Sequence, residues 1–105
     1  MEKIVQQGIL YDFYGELLTE HQRNVYESVV YENLSLGEIA DEMNISRQAV
    51  HDMIKRTDRI LEDYEARLGL VRRFGEIRKR IEHLEALTTA DSEEYRLCEE
   101  IKDLL

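Results

Sequence analysis

The segment LSLGEIADEMNISRQAVHDMIKR, Leu34 to Arg56, constrains the fold more tightly than any other part of the chain. Ser35 followed three residues later by Glu38 has the form of a capping box, and Leu36, Ile39, Ala40 and Met43 then recur in three- and four-residue steps, so a short helix opens here. Asn44 and Ile45 break that period. Asparagine is the usual substitute for glycine where the backbone turns left-handed, and Ser46 can cap a new helix at once. Ala49, Val50, Met53, Ile54, Ile60, Leu61 and Tyr64 carry the second helix on toward Arg67. Helices joined so closely cross at a steep angle and need a small side chain at the crossing, which Ala40 supplies. Ile45 is expected to plug the turn into the core, and Val50 with Met53 or Ile54 to face back toward Ile39 and Met43. These are the physical requirements of a helix-turn-helix. The competing reading is a plain helical hairpin with solvated basic residues.

The rest of the chain is also written in helical period, and the lack of proline and tryptophan with 35% charged residues suits an all-α fold. A first helix is predicted from Ile4 to Leu18 on Ile9, Leu10, Phe13, Tyr14, Leu17 and Leu18. Thr19 with Gln22 opens a second, carrying Val25, Tyr26, Val29 and Val30 inward and closing at Asn33. Beyond a break at Gly69, the stripe Leu70, Phe74, Ile77, Ile81, Leu84 and Leu87 defines a long C-terminal helix. The TTAD turn follows, and Asp91 with Glu94 opens a short final helix with Tyr95, Cys98, Ile101 and Leu105 on its inner face. The organisation expected is a helix-turn-helix domain over residues 1–67 and a helical extension over 68–105 that packs on the core or on a dimer partner. The final helix is too short to cover the whole stripe, which argues for a homodimer; an intramolecular hairpin of the last two helices is the alternative.

A net charge of −9 argues against indiscriminate attraction to nucleic acid or to anionic membrane. The acid lies mainly outside the helix-turn-helix, however. From Ser46 to Arg59 the bases Arg47, Lys55, Arg56 and Arg59 face only Asp52 and Asp58, which are placed on the presumed contact side. A recognition helix enters the major groove with its N-terminal part, so Arg47 can donate to guanine and Gln48 can pair with adenine. Ser46 at the helix start can hold a phosphate, and His51 can meet a base or a phosphate. Lys55, Arg56 and Arg59 are candidates for further phosphate contacts. The basic run RRFGEIRKR, Arg72 to Arg80, either clamps phosphates or solvates its own helix.

Other functions find little support. There is no glycine-rich phosphate loop and no Ser/His/Asp order, and Glu93 with Glu94 and Glu99 with Glu100 are adjacent rather than facing, so no catalytic residue and no small-molecule substrate are assigned. A metal site on the lone Cys98 would have to borrow His21, His51 or His83 from distant segments; no metal and no cofactor are expected, and Cys98 reads as a core residue. No apolar run approaches the roughly 18 residues that span a bilayer, and MEKIVQQGILYDFYG lacks the pattern of a signal peptide, so no membrane association and a cytoplasmic location are expected. Tyr11, Phe13 and Tyr14 read as packing residues rather than a platform for bases.

Glu38-Ile39-Ala40, Ile45-Ser46 and Arg47 through Val50 resemble the helix-turn-helix of the C-terminal domain of bacterial sigma factors. The longer run YDFYGELLTEHQRNVYESVVYENLSLGEIADEMNISRQAVHDMIKR and the following LEDYEARLGL are similar to the YlxM family of small bacterial proteins, from about Ile9 to Leu84. That resemblance implies an all-helical helix-turn-helix protein associated with the signal recognition particle pathway, with no catalytic residues to carry over. The function expected is a nucleic-acid-binding regulatory protein that takes DNA rather than RNA, with components of the particle as further partners. The alternative is an acidic, dimeric protein-interaction module that keeps the helix-turn-helix only as a packing unit.

Overall fold

The computed structural model describes residues 2–105. Among them are six α-helices, one 3-10 turn and no strand: α1 (Lys3–Tyr14), the 3-10 turn Gly15–Leu17, α2 (Glu20–Val30), α3 (Leu36–Met43), α4 (Arg47–Leu68), α5 (Leu70–Ala86) and α6 (Glu93–Leu104). They form two compact units, the first ending at Leu68 and the second running from Gly69 to Leu105. The all-α class read from periodicity holds. No helix of the described residues is long and apolar enough to cross a membrane.

In the first unit α4 is the hub, packing against α1, α2 and α3. Its inner line Val50, Ile54, Thr57 and Leu61 is buried, and Tyr14, Tyr26, Ile39 and Val50 are almost wholly enclosed. The first helix stops earlier than periodicity predicts. Leu18 must turn extended before the Thr19 cap, so the chain tightens into the 3-10 turn, with exposed Leu17 and buried Leu18. Gly15 lies under the Tyr11 ring, where a Cβ would come within 3.0 Å of Cε2. The α2 capping box forms as expected: Thr19 Oγ1 accepts from Gln22 N–H, and Gln22 Oε1 accepts from Thr19 N–H. The helix ends at Val30, and Asn33 instead serves the loop with a left-handed φ of 55°.

Ser35 and Glu38 close the second capping box, and Asn44 ends α3 at φ 57°, ψ 45°. Asn44 N–H donates to Asp41 O and Ile45 N–H to Ala40 O at 3.0 Å, the paired closure of a Schellman turn. That closure sets the exit direction of the chain. Ile45 consequently does not plug the core but is 37% exposed, because Ile39, Ala40 and Val50 already fill the crossing. Ser46 Oγ accepts from Ala49 N–H at 3.0 Å and starts α4.

In the second unit Gly69 adopts φ 61° before α5, and α6 packs back on α5 around buried Cys98. The cap of α6 is Ser92, whose Oγ accepts from Tyr95 N–H, and not Asp91. The inner face of α6 also differs from the expected stripe. Ile101 is exposed, and Lys102 takes the inward place to reach Glu85 Oε1 at 2.9 Å and Glu99 Oε1 at 3.4 Å. A cation that can be met by two carboxylates is held inward more firmly than a lone isoleucine at that edge.

Candidate nucleic-acid interface

The geometry of the α3–turn–α4 unit decides which side chains of α4 are free. With Val50 at 0% exposure and Ile54 buried against the core, the remaining arc of the helix faces solvent. Ser46, Arg47, Gln48, Asp52, Lys55, Arg56 and Arg59 are all exposed there, and His51 is half-buried. The side chains predicted from sequence as contact residues therefore lie along one outward surface of α4.

Several of them are already engaged. Gln48 Nε2 donates to Asp52 Oδ1 at 2.9 Å, one helical turn on, so its amide must exchange a partner before it can read a base. The Arg47 guanidinium lies back on the first turn of α3, where a Cβ on Gly37 would meet Nε and Nη2 at 3.0 Å. Lys55 stands outward. Arg56 and Arg59 line, with Ile60, Asp63 and Tyr64, an open recess of about 400 Å³ further along α4. The basic run RRFGEIRKR belongs to the second unit. There Arg80 pairs with Glu76 at 2.7 Å, which with Lys79 holds the Glu76 carboxyl below its usual range.

Sequence reasoning placed Asp58 on the contact side, and the structure corrects this. Asp58 Oδ1 accepts from Gln7 Nε2 at 2.9 Å and from the Tyr26 hydroxyl, so its charge is spent on the core side of α4. Asp52 is left as the acid of the two on the outward surface.

Asp58 is one member of a pattern that sequence reading missed. Four tyrosine hydroxyls each donate to a carboxylate from another segment: Tyr11 to Glu27 at 2.5 Å, Tyr14 to Glu65 at 2.5 Å, Tyr26 to Asp58 and Tyr31 to Asp12. These bonds tie α1, α2 and α4 together around stacked rings, Tyr11 on Tyr26 at 5.7 Å and Tyr14 on Tyr64 at 5.9 Å between centroids. Burial first, then the hydrogen bond to Glu27, pushes the Tyr11 hydroxyl up to about 12; burial and Asp12 do the same for Tyr31. Tyr26 is raised further, by burial and then by Asp58. The only signal in the sequence was an excess of tyrosine and acid on helices that periodicity turns toward each other. Charge-assisted bonds of this kind are among the stronger ones, and two of them turn Asp58 and Glu65 of α4 toward α2 and α1.

Comparison with known proteins agrees with this architecture. A family model described as "Putative helix-turn-helix protein, YlxM / p13 like", UPF0122, matches residues 1–104. A UPF0122 protein of Bacillus cereus strain AH187 is 43% identical over all 105 residues, covering 93% of the relative. UPF0122 proteins of Bacillus anthracis strain A0248 and of Bacillus thuringiensis subsp. konkukian strain 97-27 match with the same identity and coverage. The family that the SLGEIA and ISRQAVHD motifs pointed to is thus found along the whole sequence: this chain belongs to the UPF0122 family of YlxM-like helix-turn-helix proteins.

Proposed function

We propose that this chain is a non-catalytic, cytoplasmic nucleic-acid-binding regulator that engages DNA through the outward surface of α4. One observation carries the reading. The α3–turn–α4 unit leaves Ser46, Arg47, Gln48, Lys55, Arg56 and Arg59 exposed on one helix while Asp58 is turned inward, giving a basic strip on an otherwise acidic protein. The strip suits phosphate contacts, and its N-terminal part suits groove entry. The place of this activity is the signal recognition particle pathway, a link supported by the YlxM resemblance.

The test is capture of the protein from its native cytoplasm, with bound DNA, RNA and protein identified together. Recovery of DNA, lost when Lys55, Arg56 and Arg59 are changed to glutamate, agrees with the proposal; particle components in the same fraction agree with the pathway. Protein partners without nucleic acid would instead favour an interaction module, a reading supported by the Gln48–Asp52 bond and the net charge of −9.

A further inference from the structure

The basic run of α5 forms a stripe that the α4 surface does not account for. Glu85 bonds Lys102 Nζ at 2.9 Å and so marks the side of α5 turned to α6. At about 100° per residue, Arg72, Arg73, Lys79 and Arg80 lie about 120° to 140° round the helix from Glu85, and Glu76 falls opposite it, in the middle of the four. All five of these side chains are exposed. The cations also converge on one anion. Arg80 Nη1 donates to Glu76 Oε2 at 2.7 Å, Lys79 Nζ stands 4.0 Å from Glu76 Oε1, and these two with Arg72 hold the Glu76 carboxyl below its usual range. Glu76 is thus one carboxylate among four bases. Its ion pairs are exposed on both sides and therefore weak, so an anion from outside can take its place.

The spacing and the chain's own charge say which anion fits. Arg73 to Arg80 covers roughly 10 Å of helix at 1.5 Å per residue, and one strand of DNA carries a phosphate for every 3.4 Å or so of its axis. Arg73, Lys79 and Arg80 therefore match about three successive phosphates. On a protein of net charge −9, so small a stripe gathers few anions from solution by itself. DNA already held by α4 of the same chain is different, because a second contact within one complex works at a high effective concentration.

We infer that the α5 stripe is a second, sequence-independent contact with DNA, in which Arg73, Lys79 and Arg80 take backbone phosphates and Glu76 gives way to them. The inference rests on the reading that α4 engages DNA, and its test separates the two. Binding of the full chain to a labelled duplex is followed by anisotropy across a range of salt. Arg73→Ala, Lys79→Ala and Arg80→Ala should each reduce the salt slope by about 0.9, the share of one phosphate, and equally on duplexes of unrelated sequence. Arg96→Ala removes the same charge from the exposed surface of α6 and should leave the slope unchanged. Glu76→Gln should tighten binding more than Glu100→Gln, which makes the same change of charge on α6. If Lys55→Ala lowers the slope and the three α5 substitutions do not, the stripe is excluded and the α4 reading stands. The reverse pattern upholds the stripe and removes α4 from the interface. An Arg96→Ala effect as large as theirs, or Glu76→Gln no tighter than Glu100→Gln, reduces the stripe to a general charge effect and overturns the inference; a wild type that binds no DNA overturns both.

Discussion

The Arg47 guanidinium rests on Gly37, in the first turn of α3, where a Cβ would lie 3.0 Å from its Nε and Nη2. In a helix-turn-helix the first helix crosses the nucleic-acid backbone while the second enters the groove. On the proposed mode of binding, Arg47 would thus lie at the level of the phosphates although its backbone opens the helix that enters the groove. Arg47→Ala should weaken binding to all sequences alike and flatten the salt dependence by about one unit. Loss confined to one base position, at roughly 1–3 kcal/mol, would make it a base reader instead.

Gly37→Ala separates stability from function at the same spot. Alanine within a helix is favoured over glycine by roughly 0.5–1 kcal/mol, and the atoms it displaces are the mobile end of Arg47. The urea midpoint should rise while nucleic-acid affinity changes. A lower midpoint would mean that the guanidinium is fixed more firmly than its exposure suggests.

The turn and the crossing can be tested by unfolding. Asn44 sits at φ 57°, so Asn44→Ala should cost about 1–2 kcal/mol, whereas Asn44→Gly should be close to neutral. Equal effects would show that the left-handed turn is not what the position demands. Ala40, 4% exposed between α3 and α4, should cost on the order of 1–3 kcal/mol when changed to leucine; an unchanged melting temperature would place the crossing elsewhere.

The tyrosine network makes an alkaline prediction. Tyr11 and Tyr31 are raised from 10.0 to about 12 and Tyr26 is raised further, in each case with burial as the largest cause. A folded-state value above the unfolded one means stability fully present below pH 10 and lost as pH rises from there through the folded values. Ultraviolet titration should show tyrosines that ionise late and together with unfolding, and Tyr26→Phe should lower stability by about 1–3 kcal/mol by removing a charge-assisted bond and leaving Gln7 as the partner of the Asp58 carboxylate. Six tyrosines titrating as one ordinary class in the folded protein would contradict the network.

Local signals with a single physical cause were legible in the sequence. The capping boxes at Thr19 and Ser35, the left-handed Asn44, the Ser46 cap and the Gly69 break all stand where residue chemistry put them, because each depends on neighbours a few positions away. Features decided by distant partners were not. Ile45 is apolar and was expected inside, yet the Schellman closure aims it outward; Asp58 looked like a surface acid until Gln7 and Tyr26 claimed it. Ile101 fitted the inner stripe of α6 by period, but Glu85 draws Lys102 into that place. The outward side chains of α4 were predictable as a group, since helical period fixes which arc is buried. The engagement of Gln48 by Asp52 and the seating of Arg47 on Gly37 depend on rotamers that periodicity does not specify.

The measurement that bears most directly on the proposed function is fluorescence anisotropy of a labelled DNA duplex titrated with this protein across a range of salt concentrations. The account predicts a binding constant that falls linearly on logarithmic axes, with a slope of about 0.9 for each phosphate neutralised. Each of Lys55→Ala, Arg56→Ala and Arg59→Ala should reduce that slope. Absence of binding at low salt, or binding whose slope none of the three substitutions changes, would contradict the assignment of nucleic-acid contact to α4.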